Sequence, residues 1–140
     1  MDKQIRSYNI RIREMLDLIT AEIPDHPIIG TIHRRFRVAT TTDRTYIIQE
    51  TGPELWSYRD VVAEGRWDEL IKKNWEEEIE KKEGALMYEV SNNALKQMVG
   101  LLRNIWDRYS DEQRNLFKDS MKKLLSTYIK YLKAKAEDRQ

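Results

Sequence analysis

Between Leu116 and Leu132 apolar side chains recur at steps of three and four residues: Leu116, Phe117, Met121, Leu124, Leu125, Tyr128, Ile129 and Leu132. Such steps return to one face of a helix at every turn, whereas a strand alternates at every second residue. The stripe is wide enough to pack on more than one neighbour, so this last helix should frame a core. Ser110-Asp111-Glu112-Gln113 opens it as a capping box, with two acids at the positive end of the helix dipole. Past Lys133 the apolar face is lost, and residues 133–140 are expected to fray.

The same periodicity covers most of the chain upstream. Ile5, Tyr8, Ile12, Met15, Leu16, Ile19 and Ile23 predict a helix over about residues 2–22, ended by Pro24. Asp25 is a candidate cap for a second helix, with Pro27 in its first turn and Ile28, Ile29, Ile32, Phe36 and Ala39 on its stripe. Thr40-Thr41-Thr42-Asp43 reads as a break with a cap, followed by a short helix through Tyr46, Ile47 and Gln49. A strand at Tyr46-Ile47-Ile48 is the alternative, but no second segment alternates with period two to pair with it. Gly52-Pro53 reads as the strongest punctuation, closing one helix and opening another that carries Leu55, Trp56, Tyr58, Arg59, Val62 and Ala63 to Gly65. From Arg66 the stripe Trp67, Leu70, Ile71, Trp75 and Ile79 predicts an amphipathic helix with glutamates outside, stopped by Gly84. Ser91, Asn92 or Asn93 can cap the next, which carries Leu95, Met98, Val99, Leu102, Ile105, Trp106 and Tyr109. These readings give an all-α, irregular bundle of six or seven helices in a single domain over residues 1–140. The first helix and the last two should form its core, with the short central helices covering it.

Composition narrows the function classes. Apolar residues make up 40% of the chain and charged residues 35%, enough hydrophobic surface to offset chain entropy under a heavily charged exterior. The longest apolar run is Ala85-Leu86-Met87-Tyr88, far short of the roughly 20 residues a membrane-spanning helix needs. No membrane partner is expected, and cytoplasmic or nuclear residence is the natural expectation. Charge is segregated along the chain: residues 1–50 carry +1, residues 51–90 carry −5 and residues 91–140 carry +5. Such asymmetry can steer partners or assembly, or the segments can neutralise one another after folding.

A catalytic centre needs a nucleophile beside a base, or two acids whose environments separate their pKa values. The chain has no cysteine, and its two histidines, His26 and His33, lack the further ligands a metal would need. Glu76, Glu77, Glu78, Glu80 and Glu83 lack the glycine turn and alternating ligands of a calcium loop. Neither Gly-x-Gly-x-x-Gly nor a Walker pattern occurs. The expectation is therefore no enzyme, no cofactor and no metal.

Two binding candidates remain. Trp56 and Tyr58, with Arg59, are the aromatic and cationic residues best placed to anchor a protein partner or self-association. Arg34, Arg35 and Arg37 could instead clamp phosphates while Phe36 or Tyr46 stacks on a base, with Arg11, Arg13 and Arg44 elsewhere in the N-terminal part. Lys122, Lys123 and Lys130, together with Lys118, Lys133 and Lys135, could follow a phosphate backbone along the last helix. The competing reading is that Phe36 belongs to the core and the arginines pair with acids of the central segment. Glu50-Thr-Gly-Pro-Glu-Leu-Trp-Ser-Tyr-Arg-Asp60 and Asn104-Ile-Trp-Asp-Arg-Tyr-Ser-Asp-Glu-Gln-Arg114 resemble small helical proteins of large eukaryotic double-stranded DNA viruses. In those proteins a Gly-Pro turn precedes an aromatic helix, and Trp followed by Ser-x-Glu-x-(Lys/Arg) opens the last helix. The resemblance implies a virion component or a factor acting in infected cells, and it implies no catalytic residue. A non-enzymatic interaction or assembly component is the leading expectation, with nucleic-acid binding as the alternative.

Overall fold

The computed structural model describes residues 1–74, residue 77 and residues 92–138. Among them are seven helices and no strand: α1 (Asp2–Thr20), α2 (Ile28–Thr42), α3 (Tyr46–Ser57), α4 (Arg59–Glu64), α5 (Trp67–Ile71), α6 (Asn92–Arg108) and α7 (Asp111–Asp138). The all-α bundle expected from periodicity is the architecture observed. Trp75, Ile79, the remaining glutamates of the acidic run, Gly84 and Ser91 lie outside the described residues.

α1 and α7 form the spine, antiparallel to one another. The end of α1 meets the start of α7, where the Tyr109 hydroxyl donates to the Leu18 carbonyl at 2.8 Å and Gln113 Nε2 to Glu22 Oε1 at 2.7 Å. Further along, the Tyr8 and Tyr128 rings lie 6.5 Å apart. α2 packs on α1 and α3, whereas α7 is also flanked by α3 and α4. The short helices do more than cover the core, because Ile48 of α3 and Val62 of α4 are both 0% exposed. Burying such side chains is worth roughly 1.5–3 kcal/mol each, and helices of six and twelve residues, marginal in isolation, depend on it.

Three punctuation marks fall differently from the sequence expectation. Gly52-Pro53 lies inside α3 and ends nothing. Pro53 and Gln49, the residue whose carbonyl loses its helical donor, are both exposed, so water can replace the missing bond. Gly52 is buried against α7: a β-carbon built on it would overlap the Tyr128 ring, 2.8 Å from Cζ and closer still to Cε1. The break after Thr40 is also delayed, since all three threonines are helical and Asp43 is the stop. Asp43 Oδ1 accepts from the Thr45 amide at 2.9 Å and the Thr45 hydroxyl at 2.7 Å, an Asx turn that holds its carboxyl below the usual range. Asp25 makes no capping bond, and Pro27 stands just ahead of α2. At the other end of the chain α7 is helical to Asp138. Ala134, Lys135, Ala136 and Glu137 are strong helix formers, and Lys135 Nζ lies 5.9 Å from the Tyr131 ring centre.

Other boundaries follow the sequence closely. Gly65 closes α4 with φ +71°, a conformation that glycine adopts without strain. At α7 the Ser110 amide donates to Gln113 Oε1 at 2.8 Å and the Gln113 amide to Ser110 Oγ at 3.2 Å, the reciprocal pair of a capping box.

Candidate functional site

Trp56 stands on the last turn of α3, just before the chain bends at Tyr58 into α4. Its neighbour on one side is Pro53, one turn earlier and also exposed. Leu55, between them in sequence, points into the core and orients the turn. Trp56 is 41% exposed, a large apolar surface for one side chain. The Arg59 guanidinium carbon lies 4.5 Å from the Trp56 ring centre, and Arg59 Nη1 donates to the Trp56 carbonyl at 3.0 Å. The bend at Tyr58 thus brings a cation onto the indole face, a geometry worth about 0.5–1 kcal/mol at an exposed position.

Tyr58 is placed differently. Its ring is half-buried under Lys73, whose Nζ sits 4.8 Å from the ring centre and donates to the hydroxyl. Of the three anchor residues read from the sequence, Trp56 and Arg59 therefore share an exposed pair, while Tyr58 joins the bend to the segment following α5.

The basic candidates are divided by helix geometry. At about 100° per residue, Arg35 and Arg37 point some 160° apart around α2. Arg34 and Arg37 are exposed and lie near one another in rotation, while Arg35 is half-buried. Phe36 packs against the core, half-buried, as the competing reading of that segment requires. Lys122, Lys123 and Lys130 are all exposed on α7. Lys123 and Lys130, two turns apart, share a face, and Lys122 is turned about 100° from Lys123.

A second basic group joins Arg13 and Arg44, both named among the sequence candidates, to Arg6, which is not among them. Arg6 and Arg13 of α1 line one open groove together with Phe36, Thr40 and Arg44. The signal for it was the seven-residue spacing of Arg6 and Arg13 opposite the stripe Ile5, Tyr8, Ile12 and Met15.

Among the described residues no group of three or more His, Asp or Glu side chains is gathered as a metal site would require. None of the described helices is long and apolar enough to cross a membrane. His33 lies within α2 while His26 precedes it, so the two share no helix face. Comparison with family models, curated proteins and solved structures finds no significant match to this chain.

Proposed function

We propose that the protein is a non-enzymatic interaction or assembly component whose protein-binding surface is centred on Trp56. The observation that carries this reading is the exposed indole held under the Arg59 guanidinium at 4.5 Å. Tryptophan and arginine dominate the residues on which protein interfaces depend, and a side chain already fixed in place loses less freedom on binding. Pro53, one turn away, adds a rigid apolar neighbour. The resemblance to helical proteins of large DNA viruses is consistent with a role in virion assembly or in the infected cell.

The test is quantitative partner capture with the full chain, comparing the wild type, Trp56→Ala and a Lys122→Ala/Lys123→Ala/Lys130→Ala variant. Self-association is measured in parallel by sedimentation. Loss of a partner or of self-association at least tenfold with Trp56→Ala, and not with the lysine variant, supports the reading. Retention of every partner by Trp56→Ala refutes it.

A further inference from the structure

Arg6, Ile10 and Arg13 occupy positions i, i+4 and i+7 of α1, and Asn9 stands beside them. These spacings place them on one face of the helix. Opposite that face lie Phe36 and Thr40 of α2 and Arg44 of the turn that follows it, across an open groove of about 250 Å³. A second shallow groove on the other flank of Arg6 and Ile10 is lined by Lys3 and Arg11.

The acids beside these grooves are already engaged. Asp2 meets Arg44 at 2.5 Å and Glu14 meets Arg11 at 3.5 Å. Arg6 and Arg13 are exposed and have no ion pair among the described residues. Two helical turns separate them, about 10 Å along the axis. Between them Ile10 is 51% exposed, an apolar side chain framed by two unneutralised guanidiniums. Asn9 adds a polar feature: its Nδ2 donates to the Arg44 carbonyl at 3.0 Å, which fixes the amide orientation. Its Oδ1, held as an acceptor, is enclosed without a donor.

We propose that this groove binds single-stranded nucleic acid. Arg6 and Arg13 take phosphates, because guanidinium forks match phosphate oxygens in geometry and charge. Ile10 and the edge of Phe36 receive a base. A duplex would hide its base faces from Ile10, whereas a single strand presents them. The groove is open at its sides, so it suits a strand passing along α1 rather than an enclosed free nucleotide. This surface is separate from Trp56, and the two proposals stand or fall independently.

The experiment is fluorescence anisotropy of a labelled oligouridylate of about twelve residues with the full chain, titrated through a range of salt. The wild type should bind at low salt. Arg6→Ala/Arg13→Ala should weaken binding at least tenfold and lower the slope of log affinity against log salt by about 1.4, the value for two lost single-strand phosphate contacts. Ile10→Ser should weaken binding with the slope unchanged. Arg34→Ala/Arg37→Ala and Trp56→Ala should each change affinity less than twofold. Because every mutated position here is exposed, circular dichroism should show the helical fold retained, and Arg6→Lys/Arg13→Lys should keep the salt slope. The proposal is overturned by absence of wild-type binding at low salt, or by an arginine double variant that binds like the wild type. It is equally overturned if uridine monophosphate competes as well as the unlabelled strand, or if duplex RNA binds as tightly.

Discussion

α7 packs differently at its two ends. Around Tyr128 it meets α1 and α3 so closely that Gly52 has no room for a β-carbon. There the Tyr8 hydroxyl is paired with Thr51 Oγ1 at 2.7 Å, and since Thr51 gives its own proton to the Ile47 carbonyl at 2.6 Å, Tyr8 is the donor. Around Phe117, by contrast, Trp67 and Trp106 meet the phenyl ring edge-on at centroid distances of 5.5 and 5.6 Å. An apolar cavity of about 290 Å³ remains beside them, lined also by Met15, Ile71 and Val99. Trp106 Nε1 donates to Asp68 Oδ1 at 2.7 Å, but Trp67 Nε1 is enclosed with no acceptor among the described residues. One helix with one apolar stripe thus makes a tight, polar-matched contact and a looser aromatic one. The closeness is set by the partner: a glycine lets backbones approach, whereas three crossing rings keep them apart.

The comparison can be broken most forcefully with alkali. Tyr8 is fully buried, and desolvation pushes its pKa from 10.0 up to about 12, against the opposing pull of the Thr51 bond and with a smaller push from Tyr128. The folded value lies above the unfolded one, so the native state keeps its proton longer. Its contribution to stability is complete below pH 10 and is lost as pH rises toward 12, on the order of 3 kcal/mol. Tyr109 and Tyr128 are raised chiefly by burial too and add with the same sign. Urea unfolding between pH 9 and pH 12 should show this decline, and Tyr8→Phe should remove its largest part. A Tyr8→Phe protein with an unchanged alkaline decline would show that the tight end is not sealed from water.

Gly52→Ala comes next in size. Alanine gains about 1 kcal/mol in helix propensity, but here its methyl group must displace a buried ring or a helix, and so close an overlap costs about 3 kcal/mol, the upper end of the overpacking range. A net loss of about 2 kcal/mol is expected by chemical denaturation. In a Tyr128→Ala background the same substitution should instead stabilise by up to about 1 kcal/mol, since the atoms it strikes are gone and only the propensity gain remains. Stabilisation by Gly52→Ala in the native background would mean that α3 and α7 have room to spare.

The two ends also differ in how much of them the sequence revealed. Period located α1, α2, α6 and α7, and Ser110 with Gln113 marked the start of α7 to the residue, because capping is local chemistry. Gly52-Pro53 misled for the opposite reason: the glycine's purpose is Tyr128, a partner in the last helix that no local pattern names. The candidate surfaces divide in the same way. Trp56 with Arg59 could be read from neighbouring residues, whereas the cluster Arg34, Arg35 and Arg37 is split by α2, which keeps Arg34 and Arg37 on one exposed side and turns Arg35 away. Arg6 and Arg13 come together with Phe36 and Arg44 only through the packing of α2 on α1.

A smaller effect separates the two tryptophans that flank Phe117. Both are almost fully buried, so replacing either with phenylalanine removes a similar area. Trp106→Phe also breaks the bond to Asp68, while Trp67→Phe removes an indole N–H that has no acceptor. Trp106→Phe should therefore be the more destabilising by about 1 kcal/mol, the ordinary net worth of a hydrogen bond. Equal losses in thermal unfolding would mean that the Trp67 N–H is satisfied after all.

The smallest expected effect tests the cavity directly. Val99 lines it, and Val99→Leu adds one methylene to a space with room for it. Burial of that group should stabilise the protein by about 0.8 kcal/mol. Leucine is also a better helix former than valine by a few tenths of a kcal/mol, so a gain at Val99 alone would be ambiguous. Val38→Leu supplies the control, because Val38 is 56% exposed on α2 and reports propensity with little burial. A gain at Val99 exceeding that at Val38 by about 0.5 kcal/mol locates usable space beside Phe117. Equal gains would show that the looser end of α7 is already filled, and the contrast with Gly52 would then rest on ring geometry alone.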